Sequence, residues 1–250
     1  MSNILTVHPL ELVSTTQLVP LGSTFVAGSD QDRKKYRMVS LTASTAYTSG
    51  ILLTAAAVPA NSTALAIPTS NTTAQLSAGS RQLLVTNGAT SVTADEFKDG
   101  QLEVLGTNGI GQTYRIAGNS SAGNAGAITV NLAEPLRNVT ALANSTNTVN
   151  LRPSASALPI AQTTQALPVG VTTMPIASNA LVQYAWVQTQ GEAYVNATSG
   201  TKGFPLVQDV ATTAGNVANI GAGAAETVPS FGIFKESAAS SLASVQLLIP

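Results

Sequence analysis

The sequence predicts an all-β protein: two small β-sandwich or barrel modules preceded by an extended N-terminal arm. Three observations carry that prediction. Between Leu83 and Leu151 apolar residues recur at period two, as in Leu102 and Val104, Tyr114 and Ile116, and Ile128, Val130 and Leu132, the pattern of half-buried strands. Asn87-Gly88, Asp99-Gly100, Asn108-Gly109 and the stretch from Gly123 to Gly126 separate those runs and suit the positive-φ corners of tight hairpins. No segment of a helix's length carries an apolar helical stripe, and no internal repeat stands out.

In chain order, residues 1–30 form the arm. They mix Val, Leu and Thr with Pro9, Pro20 and Gly22 and lack any regular period, yet Leu5, Val7, Leu10, Leu12, Val13, Leu18, Val19 and Phe25 make them too apolar for a solvated tail. Docking on another subunit is the expected resolution. Residues 31–152 form the first β module. It opens with four cations in five residues, Arg33, Lys34, Lys35 and Arg37, close to Asp30 and Asp32, and runs into the strand-like Tyr36 to Leu41. Such a run is a solvated turn or a contact for an acidic neighbour. Residues 153–180 read as a Pro-rich connector. Residues 181–250 read as a C-terminal small barrel, beginning with Tyr184 and Trp186 two apart and closing on a strand from Ala243 to Ile249.

Composition removes several classes of function. Of the 250 residues 9% are charged and the formal net charge is −1, so no basic field exists to draw in nucleic acid or an anionic membrane. The chain has no cysteine and one histidine, His8, which excludes thiolate chemistry, a sulfur-built zinc site and a multi-histidine metal cage within one chain. The most apolar stretch, Ile51 to Ile67, is broken by Pro59, Asn61 and Ser62. It falls short of the ~20 residues a membrane helix needs. The start, Met1 to Leu10, has neither a basic region nor an unbroken apolar run, so no secretory signal is expected.

The remaining motifs are weak. Gly106 to Gly111 (GTNGIG) is followed by the strand-like TYRI, not by a helix, and so reads as a hairpin loop instead of a phosphate cradle. Asp95, Glu96, Asp99 and Glu103 are the only paired acids suggesting a polysaccharide hydrolase, though acids before a strand usually solvate and cap turns. Trp186 with Tyr184 and Tyr194 offers a sugar-stacking platform for a receptor- or glycan-binding adhesion module of a phage fibre or cell surface. Sequons at Asn61, Asn71, Asn119, Asn138, Asn144 and Asn196 follow from an Asn-, Ser- and Thr-rich composition.

One resemblance is carried by several runs in order: DRKKYRMVSLTAST (Asp32 to Thr45), EFKDGQLEVLGTNGIGQTYRIAGNSSA (Glu96 to Ala122), AITVNLAEPLRNVTA (Ala127 to Ala141), VNLRPS (Val149 to Ser154), YAWVQTQGEAYV (Tyr184 to Val195) and VQLLIP (Val245 to Pro250). Together they resemble virion structural proteins of tailed bacteriophages of the capsid decoration, or cement, type. That resemblance implies a non-enzymatic protein on the capsid exterior, made in the host bacterial cytoplasm. Its partners would be the major capsid protein and itself, as a homo-oligomer and by analogy a trimer. It implies no cofactor, no nucleic acid and no membrane. The expected contacts are the apolar arm residues from Leu5 to Phe25 and the cations Arg33, Lys34, Lys35 and Arg37. The long arm has no counterpart in the resemblance.

Overall fold

The computed structural model describes residues 13–28, 33–42, 44–59, 62–106, 109–137, 147–161, 166–209, 214–219 and 230–250. Strand makes up 46% of the protein and helix 2%, so the class is all-β with barrel-like sheets. The chain divides into two compact units, Met1–Ala56 with Ala155–Pro250, and Ala57–Ser154.

The inserted unit, Ala57–Ser154, is one antiparallel sheet. Its strands are β4 (Leu65–Ala66), β5 (Gln82–Thr86), β6 (Gln101–Leu105), β7 (Thr113–Asn119), β8 (Ala127–Leu132) and β9 (Thr148–Arg152), in the order β4-β9-β6-β7-β8-β5. The period-two apolar residues all face one core, where Leu102, Val104, Ile116, Ile128 and Val130 are fully buried. The one helix among the described residues, α1 (Thr73–Leu76), starts on a capping box: Thr72 Oγ1 accepts from Gln75 N–H and Gln75 Oε1 accepts from Thr72 N–H, at 3.2 and 2.8 Å.

The corners depart in part from the glycine-led expectation. At Asp99-Gly100 it is Asp99 that takes the positive φ, 61°, while Gly100 is required by close approach. A Cβ there would fall inside contact distance of the Arg152 carbonyl oxygen and 2.9 Å from that of Phe97. In the β7–β8 hairpin Ala125, at φ 52°, takes the left-handed position instead of the flanking glycines. Asn87 is buried, and its amide donates to the carbonyls of Thr90 and Gly123 instead of forming a corner. The β6–β7 loop behaves as expected, with Gly106, Gly109 and Gly111 all at positive φ.

The other unit contains β1 (Thr24–Ala27), β2 (Lys34–Leu41), β3 (Leu52–Thr54), β10 (Pro168–Thr172), β11 (Gln183–Gly200), β12 (Pro205–Gln208), β13 (Val217–Asn219), β14 (Gly232–Phe234) and β15 (Ala238–Leu248). They follow the order β1-β2-β11-β13-β12-β14-β15, and β15 returns to pair with β11, closing a ring of five strands. Val195, Leu206, Phe234 and Val245 fill that ring. A second cluster, including Val39, Leu41, Leu53, Val169 and Val187, lies where β2, β3, β10 and the first half of β11 meet.

This division differs from consecutive domains at 31–152 and 181–250. Strands β2 and β3 are hydrogen-bonded to β11 and β10, more than a hundred residues away, and not to the module that follows them. The supposed connector, 153–180, holds β10, whose five residues are all buried. A strand buried on both faces shows no alternation, which is why its sequence reads as a linker.

Because the atoms crowding Gly100 are backbone and cannot swing aside, Gly100→Ala is expected to destabilise the inserted unit by about 1–3 kcal/mol or more. Denaturant unfolding followed by far-ultraviolet circular dichroism checks this; an unchanged midpoint would show that the strands can part there.

Candidate functional site

Of the arm residues assigned to a contact, Leu5, Val7, Leu10 and Leu12 lie outside the described residues. The described rest of the arm, residues 13–28, is docked on its own chain. Val13 packs against the β2–β10–β11 core. Ser14 exchanges backbone hydrogen bonds with Tyr184, at 3.0 and 2.7 Å, on one side of β11. Gly22 N–H donates to Met38 O and Met38 N–H donates to Ser23 O, both at 2.9 Å, on the far side of β2. Since β2 and β11 are neighbours, residues 15–22 cross the sheet between those two edges.

Aromatic contact fastens that crossing. Phe25 stacks on Tyr36 with centroids 5.0 Å apart and meets Trp186 edge-on at 4.7 Å and 82°. Val19 is half-buried, while Leu18 remains 60% exposed. The apolar content that demanded a partner is thus covered in large part by the chain's own sheet, which a turn of a few residues places beside it.

The four cations are not a turn. Arg33 is exposed and leads into β2, where Lys34, Lys35 and Arg37 are half-buried on alternating sides. Arg37 donates to the carbonyl oxygen of Pro250, and burial lowers its pKa. The Glu192 carboxyl is held below its ordinary pKa, first by the Lys235 ammonium at 2.6 Å and then by the Ser244 hydroxyl at 3.0 Å. The charge of Lys34 acts in the same direction.

The acids singled out in the sequence are each engaged. Glu96 Oε2 accepts from the N–H and hydroxyl of Thr93 at 2.9 and 3.1 Å. Asp95 Oδ1 accepts from Asn119 N–H at 3.3 Å, and Asp99 pairs with Arg115 at 2.7 Å. Glu103 accepts from Asn150 Nδ2 at 3.0 Å and pairs with Arg152 at 2.7 Å. Among the described residues no three His, Cys, Asp or Glu side chains gather. The stacking platform is also divided. Trp186 is committed to Phe25, and Tyr194, 64% exposed, lies eight residues further along β11, roughly 25 Å at the usual rise.

Two sequons serve the fold. Asn71 and Asn119 are buried, and each bonds neighbouring backbone through both ends of its amide. Asn61, Asn138 and Asn144 lie outside the described residues. No pattern in the sequence announces the open depression of about 450 Å³ beside Tyr47, lined by Thr42, Thr45, Ile51, Ile160 and Ala214. Tyr47 also lines it, with its hydroxyl out of solvent, and burial raises the pKa of that hydroxyl. The chain matches no protein-family model, no curated protein and no solved structure.

Trp186 is the chain's single tryptophan, so its fluorescence reads the arm directly. Phe25→Ala is expected to shift Trp186 emission to the red and to lower stability by about 1–3 kcal/mol. Because the contact is within one chain, both effects should be the same at every protein concentration. A shift appearing only on dilution would place the contact between chains.

Glu103 supplies a pH test. Hydrogen bonds from Asn150 and then Arg152 hold its carboxyl below the ordinary 4.5. A carboxyl depressed in the folded state contributes stability that is complete above the ordinary value and lost as pH falls through the depressed one. The parent should therefore lose about 0–1 kcal/mol relative to Glu103→Gln on going from neutral pH to below 4.5. Thermal melts of the two proteins across that range measure it, and parallel curves would remove Glu103 from the acid response.

Proposed function

We propose that this chain is a capsid decoration, or cement, protein of a tailed bacteriophage. It is a non-enzymatic virion component that binds the outside of an assembled head and stabilises it by bridging neighbouring capsid subunits. It acts with the major capsid protein and with copies of itself, a trimer by analogy. The observation that carries this reading is the place of the six resembling runs. In their described parts they fall on β2, β6 with β7, β8, β9, β11 and β15, the ladders that make up both units.

Two further features favour it over the alternatives. The acids a polysaccharide hydrolase would use hold turns and strand pairs together. The tryptophan a glycan-binding module would present is turned to Phe25. A protein acting by packing needs neither group free.

The test compares particles with and without the protein for heat-driven genome release, with imaging of the particle to place it. A ligand that binds only the assembled shell adds about 2.7 kcal/mol per site when its concentration is a hundredfold above Kd. Decorated particles should therefore hold their genome to a higher temperature, and density should appear on the outer face. Equal release temperatures with no added density would remove the cementing role and favour adhesion.

A further inference from the structure

Among the described residues strand β1 is an open sheet edge. From the Ser23–Met38 bond the ladder steps by two residues, so Phe25 and Ala27 turn their backbone groups toward β2 while Thr24 and Val26 turn theirs outward. On that outward side Thr24 and Val26 have no hydrogen-bond partner among the described residues. The Val26 side chain is 57% exposed.

The other edges are covered over most of their described length or are short. On β5, Asn71 accepts from Leu84 N–H at 2.8 Å and donates to Leu84 O at 2.9 Å, while the Ser80 hydroxyl does the same for Gln82 at 3.2 and 2.9 Å. On β3, Thr54 exchanges both backbone bonds with Ile160 at 3.0 and 2.9 Å, and Leu52 N–H donates to Gly215 O at 2.8 Å. β4 is two residues long. An edge is normally blunted by a charge, a proline or a cover, and β1, with the sequence TFVA, has no charge, no proline and, among the described residues, no cover.

Charge identifies what would fit. Lys34, Lys35 and Arg37 lie on β2 directly behind β1, and neither strand contains an acid. Val26 pairs with Lys35 and Thr24 with Arg37, so these four share one face. A strand added beyond β1 would lie about 9.6 Å from β2, two strand spacings, within combined reach of a lysine or arginine and an opposing glutamate.

We propose that β1 is a strand-addition site for an extended, acid-bearing segment of a partner protein, which pairs with Thr24 and Val26 and sets a carboxylate over Lys35. A second copy joined β1 to β1 would bring like charges together, which disfavours it. The proposal concerns what pairs with this edge and stands apart from the particle reading.

The full chain is titrated with a short synthetic peptide alternating valine and glutamate, and with its valine–lysine counterpart, followed by amide nuclear magnetic resonance. The glutamate peptide should slow exchange at the Thr24 and Val26 amides and bind about tenfold more tightly than the lysine peptide, the preference shrinking as salt is added. Val26→Pro removes an outward donor without touching the bonds to β2, and should weaken binding about tenfold. The variant Lys35→Glu leaves β1 and the Arg37–Pro250 bond intact and should reverse the preference, so the test stands even if the proline variant fails to fold. Equal binding of the two peptides, shifts elsewhere than β1, undiminished binding to a folded Val26→Pro, or self-association through β1 would each overturn the proposal.

Discussion

The unit built from both ends of the chain depends on one strand changing partners midway. β11 pairs with β2 from Gln183 to Gln190 and with β15 from Gln190 to Gly200, so Gln190 is registered against both Lys35 and Leu248. The β11–β2 ladder is broken by a bulge between Gln188 and Gln190, where the change of partner falls. Buried Gln188 donates through its side-chain amide to the carbonyls of Gln190 and Glu192, at 3.0 and 2.9 Å. Thr189 donates its hydroxyl to Lys35 O and accepts from Ile249 N–H, joining the outgoing partner to the incoming one. Gly191, at φ 93°, passes so close to Arg33 that a Cβ would lie 2.7 Å from its carbonyl oxygen.

The arm and the closing strand both follow from that handover. β2 ends its pairing with β11 where β15 begins, which brings the Arg37 guanidinium to the Pro250 carbonyl. It also leaves the far edge of β2 for β1, so Phe25 arrives opposite Tyr36 and beside Trp186. The two apolar clusters of this unit are therefore successive halves of one strand's inner face: Ala185 and Val187 before the bulge, Ala193, Val195 and Ala197 after it. A defect at Gln188 or Gly191 would reach both clusters, whereas a defect in β13 or β14 would reach one.

The sequence disclosed what is encoded locally. Leu102, Val104, Tyr114 and Ile116 alternate because β6 and β7 each bury one face, and that pattern needs no knowledge of partners. β10 stayed hidden because Pro168–Thr172 is buried on both sides, and the return of β2 to β11 stayed hidden because no local signal announces a partner so far along the chain. The same limit explains the arm. Apolar content shows that Val13, Val19 and Phe25 must be covered, but it cannot say whether the cover belongs to the same molecule. At Asp99-Gly100 the dipeptide was recognised and its division of labour was not, since crowding against Arg152 appears only once β9 is in place. Glu103 and Asp95 were legible as a pair of acids but not as partners of Asn150, Arg152 and Asn119, which arrive from other strands.

Low charge and abundant amides are two sides of one design. Backbone groups that a sheet leaves unpaired must still be satisfied when buried, and here neutral side chains supply much of that bonding. Asn119 alone accepts from Phe97 N–H and donates to Thr93 O and Ser120 O, at 2.8, 2.9 and 3.0 Å. Asn71 closes β5, Asn150 accepts from Ala64 N–H, and Gln188 carries the bulge. Amides and hydroxyls keep their charge state at every pH the protein would meet, and salt does not screen them as it screens exposed ion pairs. A fold held in this way leaves its few charges free to concentrate, and their densest run lies on β2, behind the one multi-residue edge left uncovered among the described residues.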